Sequence, residues 1–203
     1  IIDLQGKFVL PGLIDGHVHF AAAGGLLEDA NLLMVSDAAG LRKEIQRVVN
    51  LLDDDEWITD GMWGAYEQWA AGDAGQGGKA VKAPWRPNRA MIDDLTPNHP
   101  CFLSRFDNKE WLANTRALVD AKLDKARMAG MEIGPDGAPT GIIFRPSPAY
   151  DALRKAVLPK SDMRLLDENR AALKALRQAG ITEIHDIATP AQTRRFIELE
   201  ENG

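Results

Sequence analysis

The sequence predicts an α/β fold in which strand and helix patterns alternate around a long insertion, and three observations carry that prediction. Residues 13–20 alternate so strictly that a strand with two chemically different faces follows. Residues 162–179 have helical spacing, end at Gly180, and lead directly into a β-rich run at 181–187. Between these two pieces the chain mixes a second helical stripe, short alternating segments and a glycine- and proline-rich stretch.

Taken in order, Ile1-Ile-Asp-Leu-Gln-Gly-Lys-Phe-Val reads as two short β segments around a turn. Pro11 and Gly12 restrict and then release the backbone ahead of the first strand. In that strand Leu13, Asp15, His17 and His19 point one way, while Ile14, Val18 and Phe20 point the other. Ser36 or Asp37 can cap a helix whose Leu41, Ile45, Val48, Val49 and Leu52 share one stripe, and Asp53-Asp-Asp-Glu ends it. Residues 57–61 read as a short strand, followed by an aromatic cluster of Trp63, Tyr66 and Trp69. Residues 70–89 read as a long loop and a candidate lid.

Residues 101–107 alternate like a strand, with Arg105 and Asp107 on one face, and residues 109–121 read as the following helix. Pro135-Asp-Gly turn chemistry within 131–144 predicts a hairpin. The helix at 162–179 is expected to turn Leu166, Leu173 and Leu176 inward, and strand 181–187 then carries His185. Thr189 and Pro190 open a last helix, with Gln192 completing a capping-box pattern.

Two imidazoles two residues apart on a strand have Cα atoms about 6.5 Å apart and can converge on one divalent ion at roughly 2.0–2.1 Å per bond. A bare His-x-His is common by chance, so its context decides. The run Lys7-Phe-Val-Leu-Pro-Gly-Leu-Ile-Asp-Gly-His-Val-His19 resembles the opening signature of the amidohydrolase superfamily of metal-dependent hydrolases. Trp57-Ile-Thr-Asp-Gly-Met-Trp-Gly64, Leu95-Thr-Pro-Asn-His-Pro-Cys-Phe-Leu-Ser-Arg-Phe-Asp107, Leu112-Ala-Asn-Thr-Arg-Ala-Leu118, Asp136-Gly-Ala-Pro-Thr-Gly-Ile-Ile-Phe144 and Ala179-Gly-Ile-Thr-Glu-Ile-His-Asp186 follow in the order of one branch. That branch is similar to the N-substituted formamide deformylases. Asn108-Lys109 stands where many of them have Gly-His, so any role of that histidine does not transfer.

The resemblance implies an amino-terminal fragment of an amidohydrolase-type (β/α)₈ TIM barrel, because a complete barrel needs about 250 residues before insertions. Its expected parts are the end of a small β domain at 1–10, barrel strand one with its loop at 11–36, an inserted α+β region at 37–160, and barrel helix, strand two and the next helix at 161–203. The implied activity is metal-dependent hydrolysis of carbon–nitrogen bonds other than peptide bonds, on an N-substituted amide or formamide as small-molecule substrate. His17 and His19 are the implied ligands of a divalent ion, with zinc the expected metal as one or two ions. The general base and remaining ligands come from later strands in the family, which places them beyond Gly203 and leaves the fragment itself inactive. Trp63, Arg105, Asp107 and His185 are the candidate substrate contacts, with packing as the alternative for Trp63, an ion pair that shapes a pocket for Arg105 and Asp107, and a structural hydrogen bond to the helix side for His185; His99, between Asn98 and Pro100 in a turn, is expected to face solvent.

Composition is that of a globular chain, 45% hydrophobic and 27% charged with a formal net charge of −6. Scattered basic residues in an acidic balance give no footprint for nucleic acid, and apolar runs fall short of the ~20 residues that span a bilayer. Cys101 stands alone, so no internal disulfide forms and the redox compartment stays undecided; a cytoplasmic location is the expectation. Unfinished barrel edges predict a homo-oligomer or association with the remainder of a longer chain. Two other functions share these motifs: a non-catalytic truncated homologue serving as a binding or scaffold module, and a cyclic amidase or deaminase.

Overall fold

The computed structural model describes residue 3 and residues 5–65, 85–125 and 127–202. The chain divides into two compact units, one of residues 1–27 with 162–203 and the other of residues 28–161.

The first unit is built on a parallel pair of strands, β1 (Leu13–Val18) and β8 (Ile181–Asp186), with Leu13 opposite Ile181 and Val18 opposite Asp186. Each strand runs into a helix: α1 (Phe20–Glu28) follows β1 and α6 (Pro190–Asn202) follows β8. Helix α5 (Asp162–Gln178) precedes β8 and ends at Gly180, whose φ of 74° supplies the left-handed turn that a side chain would strain. Thr189 and Gln192 make the reciprocal bonds of a capping box, the Thr189 N–H donating to Oε1 at 2.7 Å and the Gln192 N–H to Oγ1 at 3.4 Å.

Three expectations change here. Residues 5 and 6 form a turn, yet residues 7–12 form no strand. Helix α1, which lacks any polar and apolar periodicity, occupies a stretch expected to be loop. The buried face of α5 carries Glu168, Asn169 and Ala172, whereas Leu166 and Leu176 are half-buried and Leu173 is exposed. The physical reason is close approach: a Cβ on Gly24 of α1 would meet the Glu168 carbonyl oxygen at 2.3 Å, so backbone rather than leucine fills that contact.

The second unit is a six-stranded sheet of order β2-β3-β4-β5-β7-β6. Strands β2 (Ala30–Asn31), β3 (Asp60–Trp63) and β4 (Phe102–Arg105) are parallel; β5 (Glu110–Ala113), β7 (Pro139–Phe144) and β6 (Met131–Ile133) continue it antiparallel. Neighbouring residues of one strand enter different cores, as alternation requires: Leu103, Leu112 and Ile142 pack with Leu41, Ile45 and Val48 of α2 (Ala38–Val49), while Phe102, Ala113 and Ile143 pack with α3 (Thr115–Asp120) and α4 (Pro148–Ala156). Helix α2 begins where expected, with the Asp37 carboxylate accepting the Gly40 N–H at 2.7 Å.

The helix read at 109–121 is corrected to strand β5 followed by the short α3. Asn114 makes the break: its buried amide oxygen accepts from Cys101 N–H and Ala117 N–H at 2.9 Å each, and its amide nitrogen donates to the Thr96 hydroxyl at 2.7 Å and the His99 carbonyl at 2.8 Å. The strand read at 57–61 shifts to 60–63, where Asp60, Gly61 and Met62 all have positive φ. Ser104 holds that strained bulge, donating to the Asp60 carbonyl at 3.0 Å and accepting the Met62 N–H at 3.3 Å. Tyr66, Trp69 and most of the 70–89 segment lie outside the described residues.

Candidate metal centre

His17 is the penultimate residue of β1 and His19 lies one residue past its end, at the carboxyl end of a parallel strand. Their rings stand edge to face with centroids 5.4 Å apart, and both side chains are exposed. The local chain fixes both. The Asp15 carboxylate accepts the His17 N–H at 3.0 Å. Just beyond, the His19 carbonyl accepts the Ala23 N–H at 2.9 Å, which makes His19 the residue that opens α1.

Asp186, at the end of β8, completes this junction. Its carboxylate accepts the Phe20 N–H at 2.8 Å, and the Ile187 N–H donates to the Val18 carbonyl at 3.2 Å. A carboxylate from the neighbouring strand thus satisfies one of the free amides at the start of α1 and opposes the positive end of the helix dipole. The sequence reading missed Asp186 as a site residue; its only signal was its position at the end of the second strand, next to His185.

His17 and His19 suit a divalent ion as two neutral nitrogen donors on one side of a strand end. Among the described residues no group of three or more His, Cys, Asp or Glu is gathered to hold a metal, and His17 and His19 stand there as a pair of donors. His185 is exposed in β8, with its Nε2 3.4 Å from the Glu183 carboxylate.

The other named contacts belong to the second unit. Trp63 is corrected to a core residue: it is 2% exposed and its indole N–H donates to the Leu103 carbonyl at 3.3 Å, so its ring offers substrate no free wall. Arg105 and Asp107 form an ion pair at 3.1 Å, with the guanidinium 5.7 Å from the Trp63 ring and 5.3 Å from that of Phe106. Asp107 sits in the turn after β4, not on the strand face expected for it. His99 is likewise corrected, being only 4% exposed with Nδ1 3.3 Å from the Glu56 carbonyl; a turn does place it, but that turn is buried. Burial pushes the Cys101 thiol well above its ordinary range, so the lone cysteine is no nucleophile. Among the described residues no helix is long and apolar enough to cross a membrane.

A model described as the amidohydrolase family matches residues 1–203. Protein LONG AFTER FAR-RED 3 of Arabidopsis thaliana is 31% identical over 194 residues, covering 92% of this chain and 30% of that protein. Putative amidohydrolase YtcJ of Bacillus subtilis strain 168 is 23% identical over 188 residues, covering 91% of this chain and 33% of its own. The chain therefore spans about a third of the length of these curated relatives. Among solved structures, an uncharacterized metal-dependent hydrolase from Pyrococcus horikoshii OT3 superposes with a TM-score of 0.62 at 20% identity, over 100% of this chain and 36% of that one. One from Pyrococcus furiosus gives 0.61 at 21% identity, over 100% and 37%. At such identity the likeness is one of fold.

Proposed function

Since the chain belongs to the amidohydrolase family over residues 1–203, we propose that it forms part of a metal-dependent hydrolase acting on carbon–nitrogen bonds other than peptide bonds, with an N-substituted amide or formamide as substrate. His17 and His19 supply two ligands of its divalent ion, with zinc the metal of this reading. The observation that carries it is the pair of imidazoles, 5.4 Å apart, at the carboxyl end of a strand paired in parallel with β8. The sequence β1, α1 and α5, β8, α6 supports reading these strands as the first two of a (β/α)₈ barrel, whose chemistry gathers at strand carboxyl ends.

When bound, such an ion lowers the pKa of its water to roughly 7 and polarises a carbonyl oxygen. The residues of this chain do the positioning. His17 and His19 present nitrogen donors, and Asp15 and Asp186 fix the backbone on either side of them. The remaining donors of the set and the general base come from outside the described residues.

Metal analysis of the full-length protein tests this first, with wild type expected to hold a divalent ion and His17→Ala and His19→Ala to lose it together with activity. A panel of N-substituted formamides, acyclic amides and cyclic amides tests the substrate class, and turnover confined to the cyclic members would move the assignment to a cyclic amidase. A second reading, a non-catalytic binding or scaffold module, draws on Protein LONG AFTER FAR-RED 3, whose name states no reaction. Retained metal without turnover of any panel member would favour it.

A further inference from the structure

One end of the six-stranded sheet carries several cations, and two of them are balanced where they stand. Arg86 pairs with Glu110 at 3.0 Å and also with Glu132, and Arg105 pairs with Asp107 at 3.1 Å. Lys109 and Arg145 differ. The register that sets Trp111 opposite Ile143 and Glu110 opposite Phe144 sets Lys109 opposite Arg145 one step beyond, where the Arg145 N–H donates to the Lys109 carbonyl at 2.8 Å. Opposed residues of an antiparallel pair share a face, and like charges placed so destabilise it. The face is that of Trp111, Ile143 and Tyr150, since the Arg145 guanidinium stands 5.2 Å from the Tyr150 ring. Both residues are exposed, and among the described residues neither has a carboxylate partner. The carboxylates that flank Lys109 are engaged: Asp107 holds Arg105 and accepts the Lys109 N–H at 3.1 Å, while Glu110 holds Arg86. Two residues along β5, the buried indole N–H of Trp111 also has no acceptor among the described residues, so this face is rich in positive charge and donors and short of acceptors.

We propose that Lys109 and Arg145 form a binding site for a phosphate group, carried either by inorganic phosphate or by a small phosphate monoester. Charge selects phosphate over carboxylate: a group of about −1.5 to −2 at pH 7 balances both cations, whereas a monoanion leaves one of them uncompensated. The two side chains divide the work of recognition. Arg145 offers the planar fork of donors that matches adjacent phosphate oxygens, and its contact with Tyr150 orients that fork before an anion arrives. Lys109 adds a mobile point charge from the opposite strand. A bound anion also removes the like-charge cost that the pair imposes on the sheet. Both cations are exposed, so binding is weak and screened by salt.

Isothermal titration calorimetry of the full-length protein with inorganic phosphate, at a fixed low ionic strength set with chloride, tests this whether or not the protein proves to be a hydrolase. Wild type is expected to bind saturably. Lys109→Gln and Arg145→Gln should each weaken binding by about tenfold, while Lys174→Gln, which removes an exposed cation from α5, should leave it unchanged. Acetate should bind at least about tenfold more weakly than phosphate. Phenyl phosphate separates the two sources, tighter binding than inorganic phosphate assigning the site to a monoester and equal or weaker binding to the free ion. Thermal denaturation adds a readout of the repulsion: without phosphate Lys109→Gln should melt above wild type, and phosphate should raise the melting temperature of wild type but not of Lys109→Gln. If Arg145→Gln unfolds for want of its contact with Tyr150, Lys109→Gln carries the test. No saturable phosphate binding, binding unchanged by Lys109→Gln, an equal loss with Lys174→Gln, or acetate as tight as phosphate would each overturn the proposal.

Discussion

Asp186 accepts the Phe20 N–H at 2.8 Å and so holds the turn by which the chain passes from His19 into α1. Replacing it with alanine removes a cap and should destabilise the fold by about 1 kcal/mol, while asparagine, which keeps an acceptor, should cost less. Chemical denaturation orders the three proteins, and metal content of the full-length protein should fall in the same order. Acid acts elsewhere. Two bonds from Arg42, at 2.7 and 2.8 Å, hold the Asp94 carboxyl below its ordinary range. A pKa lowered by folding gives stability that is present above the unfolded value and disappears as pH falls through the folded one. Wild type and Asp94→Asn should thus differ in urea midpoint near neutral pH and converge in strong acid. Cys101 shifts the other way: its burial keeps the thiol protonated, so thiol reagents at mildly alkaline pH should label it only after unfolding. The residue scale was legible where a local rule applied. His17 and His19 were visible through strand parity, whereas the partner of Asp186 lies 166 positions away and no window of sequence joins them.

At the scale of elements, the contact of α1 with α5 is set by what is missing. A Cβ at Gly24 would stand 2.3 Å from the Glu168 carbonyl oxygen, a rigid backbone atom that cannot swing aside. Gly24→Ala gains roughly 1 kcal/mol in helix propensity but overpacks the crossing by about 1–3 kcal/mol, and the steric term should win. Thermal denaturation should show a net loss, and a more stable Gly24→Ala protein would mean that the helices can separate without cost. The same contact explains which elements could be foreseen. Helix α2 was legible from its Asp37 cap and its Leu41, Ile45 and Val48 stripe, both of which are local. Helix α1 was not, because Phe-Ala-Ala-Ala-Gly-Gly carries no periodicity and its glycines are chosen for a neighbour distant in sequence. Strand β5 was taken for helix since Lys109-Glu-Trp-Leu-Ala has no strong preference, and its pairing with β4 and β7 decides.

On the scale of the molecule, the alternation of strands and helices was written in sequence, but the order β2-β3-β4-β5-β7-β6 was not, because each of those pairings is a choice among distant partners. The second unit shows how one such choice is secured. Its first residues and its last are tied by charge: the fully buried Asp29 lies just after the chain leaves the first unit, and Lys160 just before it returns, with Nζ 3.2 Å from the Asp29 carboxylate and 3.1 Å from that of Asp60. Thr59 adds its hydroxyl to Asp29 at 3.1 Å, and the Ala30 N–H donates at 2.8 Å. Lys160→Met keeps the apolar stem but removes the ammonium from a carboxylate that water does not reach. Breaking a buried pair costs about 3–5 kcal/mol; the Lys160 side chain is 17% exposed and Asp29 keeps its Thr59 and Ala30 donors, so about 2 kcal/mol is expected. Adding Asp29→Asn to Lys160→Met removes the stranded charge as well and should recover part of that loss. Hydrogen exchange followed by mass spectrometry should locate the weakened protection within residues 28–161 and strongest around Ala30 and Thr59. A Lys160→Met protein as stable as wild type would show that the closure of this unit rests on its two apolar cores, with the ion pair incidental to it.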